Sequence, residues 1–136
     1  MEEMKETHTD FAGRKRHFRT VLRETPGGLS AEAIETKDGK GGYRFKVVVP
    51  TGAVGAGLWT LRQKMARILN TRHIERDAGG KGSWLPTHDV VRGRIDCDPD
   101  SHEPTLVVDG EMLSWDEFAR FLLFHEGFDF ELRFVE

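Results

Sequence analysis

Apolar residues at every second position recur along this chain, and that period confines it to sheet-forming architectures with one wet face. The best case is Tyr43 to Val49, where Tyr43, Phe45, Val47 and Val49 share one face and Arg44, Lys46 and Val48 the other. Phe128, Phe130, Leu132 and Phe134 alternate in the same way with Asp129, Glu131 and Arg133, which predicts a half-buried last strand. Shorter strand-like runs span Arg16 to Glu24, Leu29 to Thr36, Val90 to Asp96 and Thr105 to Val108. The Thr25-Pro26-Gly27-Gly28 turn predicts that the first two form a hairpin.

Two segments leave this period. Leu58, Leu61, Met65, Ile68 and Leu69 recur at spacings of three and four, which predicts a helix from Leu58 to His73. Ser114-Trp115-Asp116-Glu117 is a capping box, so a second helix begins at Ser114 with Phe118, Phe121 and Leu122 on its buried stripe. Gly127 stands where a left-handed cap ends such a helix. The order is therefore β-β-β-α-β-β-α-β. The fold class is α+β: one mostly antiparallel sheet with two helices packed on one face. A length of 136 residues fits a single domain, read as 13–136 behind a polar, aperiodic tail over 1–12.

One cysteine excludes an internal disulfide, and no apolar run reaches the roughly 18 residues of a membrane span. The acidic start lacks the apolar stretch of a secretory signal, so the expected setting is soluble and cytoplasmic. The net charge of −3 conceals a division: residues 13–76 carry 14 Lys/Arg against 5 Asp/Glu, and residues 77–136 carry 5 against 14. Such halves either neutralise each other or present opposed faces to partners.

Motifs for chemistry are missing. Gly52-Ala53-Val54-Gly55-Ala56-Gly57 lies between a strand and a helix, yet its spacing is neither a dinucleotide fingerprint nor a P-loop. Gly79-Gly80-Lys81-Gly82-Ser83 also lacks that spacing, and both read as flexible connections. Asp96, Asp98, Asp100, His102 and Glu103 imitate the start of a calcium loop, but its sixth position is Ser101 and its twelfth Val107. A solvated hairpin tip is the better reading. The six histidines are scattered without metal-ligand spacing, and Cys97 between Asp96 and Asp98 is disfavoured as a thiolate. No metal and no cofactor is implied.

From Val90 onward the chain resembles a family of uncharacterised bacterial proteins known only as a domain of unknown function. Val90-Val91-Arg92-Gly93-Arg94-Ile95, Val108-Asp109-Gly110, Ser114-Trp115-Asp116-Glu117-Phe118 and Glu126-Gly127-Phe128 carry the likeness. His17-Phe18 and the Tyr43 to Val49 strand match more loosely. Relatives with a Cys-rich zinc-type segment imply no zinc here, because Cys97 stands alone. The resemblance implies the fold and supplies no activity.

Two functional classes follow. In the first, the chain is a non-catalytic binding module that uses a charged sheet face: Arg92 with Arg94, Arg44 with Lys46, and His17 with Arg19 each share one side of a strand. The partner is then acidic, or a second copy of the chain. The lack of stacking aromatics on that side argues against single-stranded nucleic acid. In the second, an enzyme or ligand-binding domain assembles a polar site from distant residues such as Arg92, Arg94, Asp109 and Glu126. A pocket with converging polar groups would mark the second, and a flat charged face the first.

Overall fold

A computed structural model of the chain describes residues 2–77 and 83–135. Strands β1 (Glu2–Thr9), β2 (Lys15–Thr25), β3 (Gly28–Glu35) and β4 (Arg44–Val49) form an antiparallel sheet in the order β1-β2-β3-β4. Helix α1 (Val54–Leu69) crosses one face of it. Two smaller sheets follow: a hairpin of β5 (Ile74–Arg76) with β6 (Trp84–Pro86), and a three-stranded meander of β7 (Arg94–Cys97), β8 (Pro104–Val108) and β9 (Glu111–Leu113). Helix α2 (Trp115–Leu123) packs near β6, β8 and β9.

The class is α+β as the periodicities require, but there are three sheets in place of one: α1 covers the first, and α2 packs against both smaller ones. Two separate cores explain this. Phe18, Leu22, Leu29, Ala31, Phe45, Leu61, Met65 and Leu69 close the space between the first sheet and α1. Ile74, Val108, Leu113 and Phe121 make a second, smaller cluster. Alternation tells which face of a strand is dry, and it is silent on which neighbour the strand pairs with.

The segment read as a tail is β1, paired along its length from Glu2 opposite Leu22 to Thr9 opposite Lys15. Its dry face carries Met4, Glu6 and His8, and two polar residues there conceal the period. Burial pushes the Glu6 carboxyl up, but the Thr20 hydroxyl at 2.6 Å and the Arg62 guanidinium at 2.8 Å outweigh it and hold the group below its usual range. Since Arg62 belongs to α1, this contact also ties the edge strand to the helix.

Other boundaries shift. Helix α1 starts four residues before Leu58 and stops at Leu69, while Val90 to Gly93 stays outside β7. The expected strand over Phe128 to Phe134 has no strand partner among the described residues and is not a strand. The Gly79 to Gly82 stretch lies outside the described residues, and Ser83 follows it with its carbonyl accepting the Asp77 N–H at 3.0 Å. The meander turn Asp109-Gly110 has φ of 54° and 77°, the two left-handed positions that a two-residue hairpin requires.

That turn joins the two halves. Gly110 accepts the Gly42 N–H at 2.8 Å, and Arg94 Nη2 donates to the Gly42 carbonyl at 3.2 Å. A Cβ on Gly110 would stand 2.9 Å from Arg16 Nη1 and 3.0 Å from the Tyr43 ring, so only glycine lets the turn approach so closely.

Candidate functional site

The face of the first sheet turned away from α1 is built from the odd residues of β1 and β2 and the even residues of β3 and β4. Antiparallel register places directly opposed residues on the same face, so rows across the sheet can be read off. One row runs Lys5, Arg19, Ile34, Arg44, and the next Glu3, Val21, Glu32, Lys46. Arg23 begins a third row with Ser30 and Val48, and Lys15 stands opposite Thr9. Lys5, Lys15, Arg19, Arg23, Arg44 and Lys46 thus share this face with only two carboxylates among the described residues, Glu3 and Glu32.

Each of those carboxylates faces one arginine. Glu32 takes Arg44 at 3.0 Å, and Glu3 lies 4.0 Å from Arg19 with both side chains near half exposed. Lys5 and Arg19 are opposed in register, an arrangement of like charges that weakens a sheet unless a counter-charge is supplied. A hollow of about 400 Å³ opens there, lined by Lys5, Glu6, Thr7, His17, Phe18, Arg19 and Thr36. Two of these residues touch, with Thr7 Oγ1 3.0 Å from His17 Nδ1. A second hollow of about 140 Å³ is lined by Val21, Arg23, Ser30, Glu32, Arg44 and Lys46. The face offers donors and positive potential and, among the described residues and apart from the His17 ring, no aromatic side chain for stacking.

The expected residues divide accordingly. Arg44 and Lys46 sit on this face beside β3, which separates them from His17 and Arg19 on β2. Arg92 and Arg94 do not join them, because they belong to the second half. Arg92 is exposed ahead of β7. Arg94 is half-buried and fixed by Asp96, through Nε at 3.0 Å and Nη2 at 3.1 Å, as well as by Gly42. Asp109 is buried, and its Oδ2 accepts the backbone N–H groups of His73 and Ile74 at 2.8 and 2.9 Å. It pins the meander turn to β5. Glu126 is exposed in the turn beyond α2.

At the tip between β7 and β8, Asp98 accepts the Asp100 N–H at 3.0 Å, a bond that lowers its pKa, and the Asp98 carbonyl accepts the His102 N–H. Sequence reasoning missed Lys5, Lys15 and Arg23. For Lys5 the signal was present in the alternation of Glu3, Lys5, Thr7 and Thr9, which the tail reading set aside.

Residues 2–70, half of the chain, match the family model described as a domain of unknown function (DUF7686). The chain belongs to that family. Residues 73–136 match a second model, also a domain of unknown function (DUF7713). The DUF7686 part holds the basic sheet and α1, and the DUF7713 part holds both small sheets and α2, so the join between the matches falls where α1 ends. No curated protein and no solved structure matches the chain. No helix among the described residues is long and apolar enough to cross a membrane. Function is unknown for both families, and the comparisons favour no enzymatic reading.

Proposed function

We propose that this protein is a non-catalytic binding module of the bacterial cytoplasm that takes an acidic polypeptide on the basic face of its first sheet. One observation carries the reading: Lys5 and Arg19 oppose each other in a row that continues to Arg44, with too few carboxylates nearby to balance them. A ladder of cations spaced by neighbouring strands suits an extended acidic chain, whose carboxylates can meet it at several points. The two hollows on the face are lined mainly by cationic and hydroxyl side chains, which fits contact with an acidic chain. The bacterial setting rests on the family resemblance, and the cytoplasmic one on the lone exposed Cys97.

Binding of polyglutamate by the full chain, followed at increasing salt, tests this. The parent protein binds, and binding weakens as salt screens the face. Replacing Lys5 and Arg19 together by Glu abolishes binding while the urea midpoint stays close to the parent value, because exposed charges contribute less than about 1 kcal/mol each. Unchanged binding in that variant, or capture of RNA with no affinity for polyglutamate, would overturn the proposal.

A further inference from the structure

We infer that Phe128 to Val135 is a dimerisation strand, which pairs antiparallel with the same segment of a second copy of this chain. The segment leaves the molecule unpaired. After the Phe128 N–H donates to the His125 carbonyl at 2.9 Å, residues 129–135 make no backbone hydrogen bond among the described residues. Phe130 is 88% exposed, Leu132 68% and Phe134 76%. Four large apolar side chains at alternate positions, on a backbone with its donors and acceptors free, are an edge strand without a neighbour. The segment is not an appendage, since the second family match extends through it.

Charge complementarity identifies the neighbour. Only registers that set odd residues against odd ones keep the apolar side chains on one face. Placing Leu132 opposite Leu132 sets Phe130 against Phe134 on the apolar face, and Glu131 against Arg133 twice on the polar face. Sliding one step in either direction places Glu131 against Glu131 or Arg133 against Arg133, at the twofold axis. A parallel, in-register pair would oppose like charges along its whole length. The slide to Glu131 against Glu131 also sets Asp129 against Arg133, so the Leu132 register is the one antiparallel register that pairs unlike charges without any like-charge contact. Within one chain Glu131 and Arg133 already lie on one side, their side chains 2.6 Å apart, and in the dimer each turns to the partner's residue across the strand.

The apolar face of such a ribbon also has a cover at hand. Leu122, Leu123 and Phe124, at the end of α2, are all more than half exposed and immediately precede the segment. Trp115, Phe118, Phe121, His125 and Phe128 form a chain of ring contacts along the helix, with successive centroids 5.4 to 6.1 Å apart, which fixes where the segment starts.

Sedimentation equilibrium of the full chain across a concentration series tests this. The parent protein is a reversible dimer. Glu131→Arg and Arg133→Glu each raise the dimer dissociation constant at least tenfold, because each opposes like charges across the axis. The double variant carrying both changes restores the parent constant, since it re-creates the same pairs with signs exchanged. Circular dichroism shows that each variant keeps the parent fold, as expected for exposed residues that, among the described residues, contact only each other. A monomeric parent protein overturns the inference. So does a dimer that both single variants leave intact, or a double variant that fails to recover.

Discussion

Arg16 Nη1 meets both carboxylate oxygens of Glu35, at 3.2 and 3.1 Å, while its Nε donates to Asp10 Oδ2 at 2.9 Å. The three side chains are all nearly sealed from solvent, and the guanidinium lies over the Tyr43 ring at 5.0 Å. Asp10 in turn accepts the N–H groups of Ala12 and Arg14, closing the turn between β1 and β2. A buried cation shared by two carboxylates is costly to disrupt, because removing it strands two charges. Arg16→Met should cost about 3–5 kcal/mol in a urea melt. A cost under about 1 kcal/mol would mean that water reaches the carboxylates.

The same network sets the acid limit. Burial pushes the Asp10 carboxyl up, but Arg16 and the two backbone N–H groups prevail and hold it below its usual range; Glu6 is held low as well. A lowered folded pKa contributes stability above the ordinary carboxylate range and loses it as pH falls through the folded value. Urea midpoints should therefore be level from pH 7 to about pH 5 and decline below about pH 4. Asp10→Asn should be less stable at pH 7 and show a smaller acid decline than the parent protein.

Asp109 makes the second half depend on one side chain. It must accept two N–H groups from His73 and Ile74 and also occupy a left-handed position, φ 54°. Asp109→Ala fails at both and should cost on the order of 2–4 kcal/mol. Asp109→Asn keeps an acceptor oxygen and tolerates that φ, so it should cost clearly less. Thermal melts of the two variants, compared at one pH, check the ranking. Equal losses would show that the charge, and not the geometry, holds the turn.

Local signals were legible where chemistry acts over a few residues. The Ser114 capping box is present as read, with the Ser114 hydroxyl accepting the Glu117 N–H at 3.2 Å and the Glu117 carboxylate accepting the Ser114 N–H at 3.1 Å. Arg44 and Lys46 fell on a wet face because their strand alternates cleanly. Pairing across the chain was not legible. Glu6 and His8 on the dry side of β1 broke its pattern, and the remote Thr20 and Arg62 are what make the burial of the Glu6 carboxylate tolerable. Phe128 to Phe134 shows the converse, a strand pattern whose hydrogen-bonding neighbour is missing within the chain. The pairing of Arg92 with Arg94 failed for a related reason: β7 starts only at Arg94.

The capping box yields a direct test. Ser114→Ala leaves the Glu117 N–H without its acceptor and should cost about 1 kcal/mol. Denaturant melts measure it. A change below about 0.3 kcal/mol would mean that water replaces the hydroxyl without loss.

The two arginines of the Arg92-Gly93-Arg94 run should behave differently, although the sequence presents them as a pair. Arg92 is exposed, so Arg92→Gln should alter stability by no more than about 0.5 kcal/mol. Arg94 bridges the halves, since its guanidinium holds Asp96 on its own strand and the Gly42 carbonyl on the segment entering β4. Glutamine cannot span both. Its loss removes charge-assisted bonds that are only partly shielded from water, which places the cost of Arg94→Gln at about 1–2 kcal/mol. The local consequence is sharper than the global one. The Gly42 N–H, which donates to Gly110 beside this contact, should exchange with deuterium faster in Arg94→Gln and at the parent rate in Arg92→Gln. Equal exchange in the two variants would remove Arg94 from the joint and leave Gly110 to hold the halves alone.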